Sequence, residues 1–146
     1  MAVDVIYHNG FSGRHTWALK RLYEEVGRAT PRDTIVQQNP VVWLEPYHSF
    51  SANRQSVVLD RAHGSLFGTQ GPLFEQTLEE VGFIFDRGPS AEQIEAIARK
   101  YNIGVLVVKD SDPAWHSHAW DDRTRFRLLA QCDVARAYQL TGHGAP

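Results

Sequence analysis

The sequence predicts a small three-layer α/β domain, a mostly parallel sheet of about four strands flanked by helices. Three observations carry that expectation. Gly104–Lys109 (GVLVVK) is a near-continuous apolar run, the pattern of a strand buried on both faces of a parallel sheet. Just before it, Ser90–Tyr101 opens with an S-x-x-Q capping box (Ser90, Gln93) and carries Ile94, Ile97, Ala98 and Tyr101 as an apolar stripe. Only a very short turn joins the two, with Asn102 suited to a left-handed C-terminal residue, so the helix feeds directly into the strand as in a βαβ unit.

The remaining elements follow from local pattern. Thr34–Gln38 (TIVQQ) reads as a strand that follows a Pro31-Arg32-Asp33 turn and stops at Asn39-Pro40. Ser56–Asp60 (SVVLD) is a short β-branched run, and Ala135–Leu140 (ARAYQL) alternates in the manner of an edge strand. Thr16–Val26 has Trp17, Leu19, Leu22, Tyr23 and Val26 at helical spacing, with Gly27 placed to cap the end. Leu73–Phe85 sets Leu73, Phe74, Thr77, Leu78, Val81 and Ile84 on one face. Residues 1–146 form one domain, with an ordered core over 3–140 and a frayed tail over 141–146.

Composition narrows the function classes. Apolar residues at 42% and charged residues at 22% describe a globular chain, so disorder and fibrous repeats are excluded. A formal net charge of -2, with both signs interspersed, supplies no basic field for nucleic acid. The lone Cys132 has no CxxC partner and reads as a small buried hydrophobe. The longest apolar runs, Val41–Leu44 and Val105–Val108, have strand length and fall far short of the about 18 residues a membrane span needs. The amino terminus lacks the cationic and apolar regions of a signal peptide.

No cofactor is expected. A dinucleotide fingerprint would place G-x-G-x-x-G between a strand and a helix, and none follows Gln38, Asp60 or Lys109. The arrangement is therefore Rossmann-like without a nucleotide fingerprint. P-loop and G-x-S-x-G elements are missing too, so neither nucleotide chemistry nor a nucleophile elbow has its sequence carrier, and no catalytic residue is assigned.

Candidate binding residues come from geometry. In open α/β sheets, ligands settle outside the carboxyl ends of the strands. That rim carries Gln37, Gln38 and Asn39, then Asp60, Arg61 and His63, then Lys109, Asp110, Asp112 and Trp115. Mixed charge beside an aromatic ring suits a sugar or another polyol. Asn53 and Arg54 join the set, and alanine at Arg54 or Asp112 is expected to weaken such a ligand while leaving the fold intact. The simpler role for Asp110 and Asp112 is to accept hydrogen bonds from turn backbone at a strand end. His116 and His118 form an H-x-H pair near Asp110, Asp112, Asp121 and Asp122, the donor types zinc takes, though in no known metal spacing. Against that stands a polar loop decorated by Trp115 and Trp120.

One resemblance spans most of the chain, from Trp17 to Leu140. It runs through Trp17-Ala-Leu, Thr30-Pro-Arg-Asp, Gln37-Gln-Asn-Pro, Ala52-Asn-Arg-Gln, Val57-Val-Leu-Asp, Leu66-Phe-Gly, and the stretch from Ala98 through Lys109-Asp-Ser-Asp-Pro-Ala-Trp115. The chain resembles the soluble C-terminal domain of bacterial polytopic membrane proteins similar to lipid-linked-sugar-dependent glycosyltransferases. The resemblance implies an extracytoplasmic, periplasmic domain beside a parent membrane segment, with a glycan or lipid-linked sugar as partner. It places the catalytic carboxylates in loops between membrane spans, so none is carried onto this chain. The expected function is thus non-catalytic, in substrate positioning or partner contact. The alternatives are a free-standing cytoplasmic sugar-binding module and a small metal-dependent hydrolase built on Asp110, Asp112, His116 and His118.

Overall fold

The computed structural model describes residues 13–41, 52–59, 61 and 71–142. In chain order these form helix α1 (Gly13–Ala29), strand β1 (Ile35–Gln38), helices α2 (Pro72–Phe83) and α3 (Ala91–Lys100), and strand β2 (Ile103–Lys109). Two 3-10 turns follow, Pro113–His116 and His118–Asp121, then strands β3 (Phe126–Cys132) and β4 (Ala135–Leu140).

The four strands lie in the order β1-β2-β4-β3. β1 and β2 pair in parallel, as a helix feeding into a buried strand requires. The β2–β4 and β3–β4 pairs are antiparallel, so the sheet is mixed rather than mostly parallel. A β3–β4 hairpin turning at Asp133-Val134 causes the change, because two strands joined by two residues can only run antiparallel. The same hairpin corrects the position of Ala135–Leu140. That strand is interior, and the sheet edge falls to β3, whose FRLLAQC does not alternate.

Helices cover both faces. α1 lays Leu19, Leu22, Tyr23 and Val26 on the face formed by Val36, Val105, Val107, Ala135 and Ala137. On the other face, Val81, Ile84, Ile94 and Ala98 meet Leu106, Val108, Tyr138 and Leu140. The alternation of Val105 and Val107 against Leu106 and Val108 is the period-two signature of a strand, here apolar on both sides. A bulge between Leu128 and Ala130 turns Leu129 and Ala130 both toward the α1 layer. Among the described residues no helix is long and apolar enough to cross a membrane.

The capping box of α3 is complete. Ser90 Oγ accepts from Gln93 N, and Gln93 Oε1 accepts from Ser90 N at 2.8 Å. Asn102 has φ 55, the left-handed residue that ends the helix. Three expectations fail nearby. Trp17 is 61% exposed and Leu73 77% exposed, because each lies in the first turns of its helix, beyond the sheet. Trp120 is no loop decoration. It is buried, stacked on Tyr138 at 4.9 Å, with Nε1 donating to Ala114 O.

Ser56–Asp60 is not a ladder strand within its described residues. It runs beside β1 through a single parallel bridge, Ile35 to Gln55. Beyond that bridge a side chain does the pairing. The fully buried Gln37 accepts from Val57 N and Val58 N at Oε1 and donates from Nε2 to Val58 O at 2.9 Å. An amide thus replaces a strand's donor and acceptor.

Gly27 is not a helix cap but a contact point inside α1. A Cβ there would stand 2.5 Å from the Ala52 carbonyl oxygen. In an open helix Gly→Ala is favourable by about 1 kcal/mol. Here Gly27→Ala should instead cost about 1–3 kcal/mol, because backbone must move to admit the methyl group. Denaturant unfolding measures the sign directly, and a stabilised variant would show that α1 and residues 52–54 do not touch.

Glu80 fastens α2 to α3. Its Oε2 accepts from Lys100 Nζ at 2.5 Å and Tyr101 OH at 2.8 Å, while Oε1 accepts from Gln76. These bonds, Lys100 first, hold its carboxyl at about 2 against an ordinary 4.5. A depressed carboxyl pKa stabilises the fold above the unfolded value and loses that effect as protons bind on the way down to the folded one. The melting-temperature difference between the native protein and Glu80→Gln should therefore be full above pH 4.5 and shrink toward pH 2. A difference independent of pH would assign the fastening to packing alone.

Candidate functional site

The carboxyl ends of β1 and β2 lie side by side, with Gln38 opposite Val107. Sequence expectation made this edge a solvent-facing rim, but most of its polar side chains turn inward. Gln38, Asn39, Lys109 and Asp112 are 7%, 6%, 2% and 3% exposed. Buried polar groups must find partners, and these do. Tyr23 OH, reaching from α1, donates to Gln38 Oε1 at 2.6 Å. Asn39 Nδ2 donates to Asp112 Oδ1 at 2.9 Å, and Lys109 N donates to Asp112 Oδ2 at 2.8 Å. Asp112 N in turn donates to Lys109 O, and Asn39 Oδ1 accepts from Val41 N.

Asp112 thus ties the exit of β1 to the exit of β2. Both of its oxygens accept bonds from strand-end residues, so the carboxylate organises the edge rather than waiting for a ligand. This corrects the expectation that Asp112→Ala leaves the fold intact. Asp110 does face solvent, and its N–H anchors the hairpin through Val134 O at 2.9 Å. Trp115 is half-buried beneath Arg136, whose guanidinium stacks 3.9 Å above the ring, so that face of the indole is occupied. His63 and Asp60 lie outside the described residues. Arg61 is exposed and paired with Glu75 at 2.7 Å.

Asn53 and Arg54 belong elsewhere. The 52–59 segment runs parallel to β1 with Gln55 beside Ile35, so they stand at the amino end of the sheet. The structure does not bring them to the other candidates. Arg54 is a cap. Its Nη2 donates to Gly27 O at 2.6 Å and Thr30 O at 2.5 Å, Nη1 to Ala52 O and Asn53 O, and Nε to Thr30 Oγ1. A helix leaves its last carbonyls without intrahelical donors, and a guanidinium at that end satisfies them and the dipole together. Arg54→Ala therefore removes a fastener of α1, contrary to the expectation of an intact fold.

His116 and His118 fall in successive 3-10 turns, not on a strand. The His118 side chain is 98% exposed, with Nδ1 3.1 Å from Asp121 Oδ2. Asp112 is buried in the strand-end tie, so the four residues of the hydrolase alternative do not converge. Among the described residues no three His, Cys, Asp or Glu side chains group to hold a metal. Asp122 instead pairs with Arg125 at 2.5 Å, and Arg125 also reaches Glu92 and Glu95. Asp122 sits below its ordinary pKa through bonds from Thr124 and then Arg125, and the same carboxylate raises that of Arg125. This network clamps the loop before β3 onto α3.

Tyr23 belongs to the apolar stripe of α1 in sequence, with no sign of its bond to Gln38. Gln37, expected on the rim, is fully buried and bonded to Val57 and Val58 instead. The available signal was Gln37-Gln38-Asn39 following Val36 in a core strand, since consecutive amides there must be bonded from the side.

The family model described as the Y4nK C-terminal Rossmann-like domain matches residues 13–139. No curated protein and no solved structure matches the chain.

Proposed function

The chain belongs to the Y4nK C-terminal Rossmann-like domain family, and on that premise we propose that it is a non-catalytic module of a larger protein, serving in substrate positioning or partner contact. The observation that carries this reading is the strand-end tie. At the edge where an open α/β sheet would present reactive groups, Asp112 is 3% exposed and spends both oxygens on Asn39 and Lys109. The family description, which places the domain at a C-terminus, supports a parent protein. Resemblance over Trp17–Leu140 supports a membrane-embedded, glycosyltransferase-like parent with the domain on its extracytoplasmic face.

Two measurements test the reading. The gene upstream of the segment encoding this chain should encode several apolar spans of about 20 residues in frame. A start codon there without spans would remove the membrane parent. The full gene product should transfer sugar from a lipid-linked donor, the isolated chain should not, and deleting the chain should lower the rate. Turnover of a sugar donor by the isolated chain would defeat the non-catalytic assignment.

A further inference from the structure

The amino end of the sheet, opposite the strand-end tie, holds an open cleft of about 660 Å3. It lies between the last turn of α1, the Pro31-Arg32 turn and residues 52–54. A second cleft of about 610 Å3 adjoins it and shares Arg32, Asn53 and Arg54. We propose that this double cleft binds a phosphate group, with Arg28 and Arg32 as its ligands and Arg54 as its cationic floor.

Charge is the first support. The double cleft is lined by three arginines, Arg28, Arg32 and Arg54, against two acidic residues, Glu24 in the first cleft and Asp33 in the second. Glu24 is itself 3.8 Å from Lys20 Nζ, which offsets its field. This local excess stands out on a chain whose net charge is -2.

Carbonyl placement is the second. The end of a helix carries partial negative charge and would repel an anion. Here the Gly27, Thr30, Ala52 and Asn53 carbonyls are all bonded by Arg54, which turns a carbonyl-lined floor into a cationic one. Because those bonds occupy its donors, Arg54 contributes charge rather than directed contacts.

Free donors are the third support. Arg28 and Arg32 are exposed, and among the described residues neither takes part in an ion pair or side-chain hydrogen bond. A guanidinium fork matches a phosphate's paired oxygens, and two forks on one rim can take both sides of the group. Asn53 and Asn102, both with positive φ, line the smaller cleft, Asn53 on the wall it shares with the larger. The site needs neither a membrane parent nor a sugar donor, so its failure and that of the proposed function are separable.

Titration calorimetry of the chain with sodium pyrophosphate at about 0.15 M ionic strength tests the site. Flotation with phosphatidylcholine vesicles, with and without phosphatidic acid, tests a lipid-borne phosphate. The double variant Arg28→Ala/Arg32→Ala should weaken binding about tenfold or more. A control with the same charge change elsewhere, Arg21→Ala/Arg123→Ala, should stay within about twofold, because distant exposed charges are screened. Both double variants alter only exposed side chains, and matching melting curves confirm folding. Arginine-dependent binding of pyrophosphate alone assigns a free phosphate, and of vesicles alone a lipid headgroup. No binding to either probe, or equal loss in both double variants, overturns the site.

Discussion

Asp112→Ala should lower the unfolding free energy by about 2–6 kcal/mol, since each buried donor left without its acceptor costs about 1–3 kcal/mol. Among the described residues such donors include Asn39 Nδ2 and the Lys109 N–H, both bonded to the Asp112 carboxylate. Water cannot readily replace that carboxylate, because Asn39 and Lys109 are themselves buried. Asp112→Asn should fall between the two, keeping one acceptor oxygen but setting its NH2 against a donor. Urea unfolding of all three proteins measures the series. An alanine variant within about 0.5 kcal/mol of the native protein, the range of an ordinary surface change, would show that the edge does not depend on this residue.

Val107→Asp should abolish cooperative folding. Val107 is fully buried in β2, between Gln38 of β1 and Ala137 of β4, and faces the α1 layer. An unpaired buried carboxylate costs several kcal/mol, against a typical domain stability of about 5–15 kcal/mol. Val107→Ala separates charge from volume, with an expected loss of about 1–3 kcal/mol and a retained cooperative melt. A soluble, sharply melting aspartate variant would mean that β2 does not run through the centre of the sheet.

Both residues were visible in the sequence, yet only Val107 had its role legible there. Its role is written in GVLVVK, where apolar residues on both parities leave no solvent face for a strand. Asp112 carries two readings in the sequence, a ligand group and the simpler one, a turn acceptor. What separated them was Asn39, 73 residues away along the chain and 2.9 Å away in space. Arg54 shows the same limit. Its neighbours Asn53 and Gln55 gave no hint that its guanidinium would reach back to Gly27 and Thr30 on another element.

By itself the sequence determined the α/β class, the complete capping box at Ser90 and Gln93, the left-handed Asn102, and the two-faced burial of β2. Each depends on residues within a few positions of one another, where periodicity and capping chemistry act. Tertiary structure alone decided that the sheet is mixed, that Ala135–Leu140 lies inside it, and that Gln38, Asn39, Lys109 and Asp112 are buried at the carboxyl end. A two-residue hairpin without glycine set the strand direction, and the β3 it added moved the edge outward. At the carboxyl ends of β1 and β2, burial leaves Gln38, Asn39 and Asp112 to bond within the protein.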